Sequence, residues 1–237
     1  KEGIICEADQ RHVEIACRDM GLTMKSNSAL LPGAQEVQPH TEEIDPIMYR
    51  SVAARCNYLA QDRPDIQFTA KEICRGMSNP TPEHVARLKK LTRHLLGKPR
   101  IGLHYVQQEV PDCLCVWADT DFAGCRDTRK STSGGVAMFG SHCLKTWSST
   151  QDVIASSSGE AELYEIAKAA TQGIGLQTLL EDLGIVVSLQ IVSDAGAAIS
   201  MTKRKGVGKV RHLEVRQLWV QDKVKSGGVS IHKVKSQ

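Results

Sequence analysis

The spacing of hydrophobic and polar residues divides the chain into a helical first part and a mixed second part. The first part predicts four helices: Arg11–Met20, Pro46–Gln61, one from Pro64–Asp65 to Gly76, and Pro82–Gly97. The last of these has Thr81 as its N-cap and an apolar stripe made of Val85, Leu88, Leu91 and Leu95. Residues 31–40, rich in Pro, Gln and Glu, are typical of an exposed linker.

After residue 112 the pattern alternates between short strand-like segments and helices. Strands are predicted over Cys113–Ala118, Gly135–Phe139, His142–Trp147, Leu189–Ser193 and Val229–Val234. The intervening helices are a long one over Ser158–Leu183, a short one after Asp194, and one over His212–Lys225. Strands mixed with helices in this order favour an α/β class, with an α+β mixed sheet, for this part of the chain.

Length and composition match a globular protein. The chain has 237 residues, of which 41% are hydrophobic and 24% charged, so disorder, a collagen-like fibre and a long coiled coil are excluded. No apolar run reaches the roughly 20 residues of a membrane span, and we expect no membrane partner. The first residue is Lys rather than Met, and no secretory signal follows it, so we expect a fragment of a longer protein.

The net charge of +3 is small, but the basic residues are clustered. Residues 71–100 carry eight Lys or Arg against two acids, and residues 195–213 carry five and no acid. Such clusters fit contact with a nucleic-acid phosphate backbone, or simply a solvated face. The candidate nucleic-acid-binding residues are Lys89, Lys90, Arg93, Lys203, Arg204, Lys205, Lys209 and Arg211.

The eight cysteines are scattered and contain no C-x-x-C pair, so a zinc ribbon or a redox motif has little support. Cys113 and Cys115 alternate along a predicted strand and would share one of its faces. We expect reduced thiols in an intracellular protein.

Three acids lie where ligands gather in α/β proteins. Asp119 and Asp194 each follow a predicted strand directly, and Glu160 or Glu162 lies in the first turns of the long helix. If these elements meet, the carboxylates repel each other and need a cation. Oxygen-only ligands suit Mg²⁺ or Mn²⁺ rather than zinc. Two such ions about 4 Å apart support phosphodiester hydrolysis.

Each acid also has a purely structural interpretation. Asp119 could cap a turn and Asp194 could cap the short helix after it. Ser157 and Glu160 have the spacing of a capping box, and Glu162 lies about 200° round the helix from Glu160. This leaves Glu162 as the freer acid, although helical angle does not settle the choice.

Several segments, in the same order along the chain, resemble the C-terminal part of copia-type LTR retrotransposon Pol polyproteins. These polyproteins carry a reverse transcriptase. The segments that resemble the family's ribonuclease H domain are Ala118–Gly135, Trp147–Gln151, Ala155–Tyr164 and Ser193–Ile199. Upstream, Tyr49–Val52, Asn57–Ala60, Arg63–Ile66 and Met77–Thr81 resemble the connection region that joins polymerase to ribonuclease H. The resemblance implies a polymerase tail over 1–35, a linker over 36–48, a mainly helical connection region over 49–106 and a ribonuclease H-like domain over 113–237.

The same resemblance implies an endonuclease that hydrolyses the RNA strand of RNA–DNA hybrids during reverse transcription. Asp119, Glu162 and Asp194 would then be both the catalytic and the metal-binding residues, holding two Mg²⁺ ions with Mn²⁺ as a substitute. The partners would be the hybrid and the upstream polymerase domain of the same polyprotein. The expected location is a cytoplasmic virus-like particle or the nucleus.

The sequence departs from the family pattern at several positions. Gly159 and Ala195 replace a usual Thr and a usual Asn, and Leu218 stands where His is common. A fourth Asp is expected shortly beyond Gln237, and the Asp-Asp motif of the polymerase is absent from this sequence. Two alternatives stay open: a relic fragment that only binds nucleic acid, and a transposase or integrase of similar fold.

Overall fold

The computed structural model describes residues 2–33, 45–204 and 218–234. The chain forms two compact units, one over Gly3–His104 and the other over Tyr105–Gln237 together with Lys1–Glu2. The division falls close to the end of the predicted connection region. Lys205, Lys209 and Arg211, and most of the helix predicted over His212–Lys225, lie outside the described residues.

The first unit is mainly helical. Its elements are β1 (Gly3–Glu7), α1 (Gln10–Asp19), α2 (Pro46–Leu59), a 3₁₀ turn (Pro64–Ile66), α3 (Gln67–Cys74), α4 (Pro82–Gly97) and β2 (Gly102–Val106), which pairs with β1 and runs two residues past the unit. The sequence pattern missed β1, because a five-residue strand whose residues are all exposed has no buried alternation to reveal it. Thr81 caps α4 as predicted, and its partner in the capping box is His84.

A buried polar network lies inside the helical unit. The guanidinium of Arg63, only 1% exposed, pairs with both carboxylate oxygens of Asp65, and Nε2 of His94 lies 3.0 Å from Asp65 Oδ2. Nδ1 of His94 lies 3.0 Å from the carbonyl oxygen of Leu30. These bonds join α4 to the loop after α1 and satisfy polar groups that would otherwise be costly to bury.

The second unit is built on one five-stranded mixed sheet. Its elements are β3 (Cys113–Asp121), β4 (Thr132–Phe139), β5 (His142–Thr150), α5 (Ser158–Asp182), β6 (Ser188–Ser193), α6 (Gly196–Lys203), α7 (Trp219–Lys225) and β7 (Ser230–Lys233). The strand order is β5-β4-β3-β6-β7, with β3, β4 and β5 antiparallel and β6 and β7 parallel to β3. This confirms the predicted α/β class and mixed sheet.

Helix α5 packs against the middle of this sheet. Leu114, Val116 and Leu189 point towards the helix and are buried. Gly173 is where helix and sheet come closest, since a Cβ there would lie 2.6 Å from Leu189 Cδ1 and 3.2 Å from Val116 Cγ2. The close packing holds the helix at a defined height above the strands that carry the predicted acids.

Strand β3 is longer than the sequence pattern predicted. It continues to Asp121, so Asp119 lies inside the strand and does not follow it. The reason is pairing with β4, in which Asp119 faces Gly134 and Asp121 faces Thr132. Backbone pairing depends on the neighbouring strand, so polar side chains at an exposed strand end do not stop it.

Candidate metal centre

The parallel pairing of β3 and β6 brings two of the predicted acids to the same edge of the sheet. Trp117 is the register partner of Val192, so Asp119, still within β3, and Asp194, just past the end of β6, are each two residues further on and lie side by side. Asp194 follows the last residue of β6 directly. It does not cap α6, because Ala195 occupies the N-cap position and no side chain caps that helix.

The third acid, Glu162, comes from the start of α5, which is fixed to the sheet by its neighbour Ala161. The carbonyl oxygen of Ala161 accepts a hydrogen bond from Gln151 Nε2 at 2.8 Å and one from Thr120 Oγ1 at 3.5 Å. Gln151 also donates to Ser133 Oγ at 3.0 Å. These contacts link the helix start to β3, β4 and the chain after β5, and so set where Glu162 lies.

Oxygen atoms of Asp119, Glu162 and Asp194 all lie within 4.8 Å of one another. Burial, together with the negative charges of Asp119 and Asp194, raises the pKa of Glu162 to about 7. Its Oε2 is buried and has no hydrogen-bond partner among the described residues. A carboxylate oxygen without a donor, facing two more carboxylates, fits a hard divalent cation with oxygen ligands.

The neighbouring Glu160 has a different environment. It is 2% exposed, and its Oε2 accepts from Ser156 N at 2.8 Å and from Ser156 Oγ at 2.6 Å. Its other oxygen accepts from the hydroxyl of Tyr164. Ser157 caps the helix as predicted, accepting from Glu160 N at 3.2 Å, but the carboxylate returns to Ser156 and not to Ser157. Glu160 therefore serves the helix start, and Glu162 faces the two aspartates.

Sequence reasoning missed a fourth acid, Glu165, one helical turn after Glu162. Its side chain has no exposed surface, and its Oε1 accepts a 2.9 Å hydrogen bond from Trp147 Nε1. Burial raises the pKa of Glu165 to about 7, although the hydrogen bonds from Ser133 and Trp147 and the charge of Lys168 act in the opposite direction. The available signal in the sequence was its place beside the apolar residues Leu163, Ile166 and Ala167 of α5, because a charged residue on a buried face needs a partner.

The predicted basic residues lie in both units. Lys89, Lys90 and Arg93 lie on α4 of the helical unit, with Arg93 exposed. Lys203 and Arg204 lie at the end of α6 in the unit with the acids. Lys233, which no sequence pattern singled out, has its Nζ beside Gly196, two residues after Asp194.

Among the helices that the structure describes, none combines the length and the apolar composition needed to cross a membrane.

No family model matches the chain, but individual proteins do. It is 28% identical over 194 residues to the retrovirus-related Pol polyprotein from transposon RE1 of Arabidopsis thaliana, covering 81% of this chain. It is 26% identical over 207 residues to the corresponding polyprotein from transposon TNT 1-94 of Nicotiana tabacum, covering 83% of this chain. The chain is related to retrotransposon Pol polyproteins.

This Pol-related chain spans only a small part of those relatives, 13% of the first and 14% of the second. Among solved structures, a foamy viral protease-reverse transcriptase in complex with dsDNA matches 94% of this chain and 41% of its own, with a TM-score of 0.60 and 15% identity. The same viral protein in complex with RNA/DNA hybrid matches 83% of this chain and 26% of its own, with a TM-score of 0.54. The predicted ribonuclease H-like fold is confirmed.

Proposed function

We propose that this chain is the ribonuclease H module, with its connection region, of a retrotransposon reverse transcriptase. It cleaves the RNA strand of RNA–DNA hybrids internally. The observation that carries the proposal is the meeting of Asp119, Glu162 and Asp194 within 4.8 Å at the edge of a ribonuclease H-like sheet. Three carboxylates at that distance repel one another and lower stability unless they hold a cation.

The three acids would hold two Mg²⁺ ions, or Mn²⁺ in their place. Bound divalent ions supply Lewis acidity at the phosphate and lower the pKa of water. Asp119 and Asp194 offer oxygens from neighbouring strands, and Glu162 offers an oxygen from the helix above them. The buried Oε2 of Glu162, which has no donor among the described residues, would be one of the ligand atoms for such a cation.

A metal held by these three acids would act on the phosphate backbone and not on the bases. This suits an enzyme that must cut many sequences. Recognition of a hybrid rests on its backbone shape and its 2′-hydroxyl groups. The exposed Arg93 and the half-buried Lys89 and Lys90 supply positive charge in the connection region, and Lys203 and Lys233 supply it in the unit with the acids. Contacts from such residues make binding depend on salt concentration. A related viral protein has been captured with an RNA/DNA hybrid, which supports this choice of substrate.

The polyprotein context assigns further roles. Residues 1–35 and the connection region over 49–106 would link this module to an upstream polymerase domain, which would deliver the hybrid. This sequence lacks the polymerase's Asp-Asp motif, so the proposed activity of the chain itself is hydrolysis. The module would act in a cytoplasmic virus-like particle or in the nucleus.

The test is cleavage of a labelled RNA–DNA hybrid by this chain in Mg²⁺ or Mn²⁺, beside an Asp194→Asn variant. We expect endonucleolytic products from the hybrid, none from single-stranded RNA, and a loss of at least about 100-fold in the variant. A hybrid that binds but is not cut with either ion, even by a chain extended past Gln237, would contradict the proposal and leave a nucleic-acid-binding relic. Equal cleavage by the variant would contradict the assignment of the site.

A further inference from the structure

Two cysteines on β3 approach each other on the face of the sheet that points away from α5. Residues 114, 116 and 118 of this strand are buried against the helix, whereas Cys113 and Cys115 point to the opposite side and are partly exposed. Their Sγ atoms are 3.6 Å apart. Both thiols are free in the structure.

Polar groups from the neighbouring strand surround this pair. Ser188 and Gln190 of β6 are the register partners of Cys113 and Cys115. The Cys115 thiol points to Gln190 Oε1 at 3.9 Å. Since Ser188 is exposed and Gln190 is half-buried, the two sulfurs lie in a polar and accessible position. Burial and the neighbouring Cys113 raise the pKa of Cys115, so the Cys115 sulfur is not reactive simply because it is ionised.

The geometry disfavours a disulfide between these cysteines. Residues i and i+2 of one strand are separated by about 6.6 Å, twice the rise per residue. A disulfide needs Cβ atoms only about 3.5–4.5 Å apart. Closing the bond would require β3 to break its pairing with the neighbouring strands. Both cysteines pair with β6, and Leu114 and Cys115 also pair with β4.

The same geometry suits two bonds to one metal ion. Zinc–sulfur bonds are about 2.3 Å long, and tetrahedral angles between them place the sulfurs about 3.8 Å apart. The observed 3.6 Å separation of Sγ atoms is within a small side-chain rotation of that value. A linear arrangement would need about 4.6 Å, twice the bond length, and therefore fits less well.

We propose that Cys113 and Cys115 form a two-thiolate binding site for Zn²⁺, separate from the acid cluster. Binding forms two zinc–sulfur bonds and releases the two thiol protons to solvent. Two coordination positions of the zinc ion remain for oxygen ligands. Gln190 Oε1 would fill one of them and water the other. Thiolate ligands select zinc over Mg²⁺, so the two sites take different ions. This proposal does not depend on the chain being a ribonuclease.

The experiment uses Co²⁺ as a spectroscopic substitute for Zn²⁺ on the whole chain, with excess Mg²⁺ present for the acid cluster. We expect one equivalent of Co²⁺ to produce a thiolate-to-cobalt absorption band in the near ultraviolet, which added Zn²⁺ removes. Cys113→Ser and Cys115→Ser should each weaken binding by about tenfold or more. The matched controls Cys6→Ser and Cys143→Ser, at two other accessible cysteines, should leave the band unchanged.

A second measurement locates the site without any substitution. Alkylation of the folded wild-type chain followed by peptide mass analysis should show that Zn²⁺ protects Cys113 and Cys115 together, and leaves the labelling of Cys6 and Cys143 unchanged. Absence of the absorption band, or protection of other cysteines in place of this pair, would overturn the proposal.

Discussion

Trp147 Nε1 donates a 2.9 Å hydrogen bond to Oε1 of Glu165, a carboxyl group with no exposed surface. The indole also lies over Gly135, where a Cβ would come within 2.1 Å of the ring. Gly135 is the register partner of both Trp147 and Ala118, the residue before Asp119. The bond therefore joins the helix that carries Glu162 to the strands beside Asp119.

Replacing Trp147 with Phe should destabilise the chain, because it removes a hydrogen-bond donor from the buried Glu165 carboxyl group. We expect the free energy of unfolding to fall by about 1–3 kcal/mol, and to fall more at pH 8, where the carboxylate is charged, than at pH 5.5. Urea unfolding at the two pH values measures this. Trp117→Phe, at a side chain that is 43% exposed, is the control and should change stability by less than about 0.5 kcal/mol. Equal losses in both variants would contradict the role of the bond.

Replacement by Gln should affect stability at Glu160 and hybrid cleavage at Glu162. Glu160→Gln removes a charge that accepts from Ser156, so we expect a loss of about 1.5–3 kcal/mol in the free energy of unfolding. Glu162→Gln removes a charge that repels Asp119 and Asp194, so the metal-free protein should lose no stability at pH 8. Its cleavage of hybrid should nevertheless fall by at least about 100-fold. Thermal unfolding and a cleavage assay on both variants provide the test. A Glu162→Gln chain that still cleaves hybrid at the wild-type rate would refute the assignment of Glu162 to the metal site.

The pH dependence of stability should reflect the raised pKa values of Glu162 and Glu165. Both are about 7 in the folded chain against an ordinary value of 4.5, so the folded state holds more protons than the unfolded state between these values. Without divalent ions, the contribution of these groups to stability should therefore be present below pH 4.5 and be lost as the pH rises through 7.

Divalent ions should reverse that trend, because they bind the ionised carboxylates. We expect Mg²⁺ to raise the melting temperature more at pH 8 than at pH 5.5, and Asp194→Asn to reduce the increase. At a free concentration 100 times the dissociation constant, the gain is about 2.7 kcal/mol. Calorimetry with Mg²⁺ and with a chelator, at both pH values, measures the difference. An increase that is larger at pH 5.5 would rule out the acid cluster as the binding site.

Gly173→Ala should disturb the contact that sets the height of α5. The added Cβ would lie 2.6 Å from Leu189 Cδ1 in a closely packed core, and we expect a loss of about 1–3 kcal/mol in the free energy of unfolding. Gly175→Ala, two residues along the same helix with nothing within 4 Å, is the matched control and should stabilise by about 0.5–1 kcal/mol. Denaturant unfolding of both variants is the measurement. A neutral Gly173→Ala would show that the helix shifts freely.

Local patterns in the sequence were sufficient to predict most elements of the fold. The period of apolar residues located α4 and α5, and Thr81 and Ser157 marked their first turns, because a cap depends only on residues a few positions apart. The strand period of two also predicted that Cys113 and Cys115 share a face. The order of segments such as Ala118–Gly135 and Ser193–Ile199 along the chain pointed to the Pol polyproteins.

The tertiary structure alone decided what depends on residues far apart in the chain. Asp119 lies within β3 because β4 pairs beyond it, and Glu162 differs from Glu160 because two aspartates from separate strands face it. Glu165 had no visible partner in the sequence, since Trp147 lies 18 residues away on β5. Local preferences determine helices and strands over a few residues, whereas burial, charge repulsion and the approach of two thiols arise only when distant segments pack together.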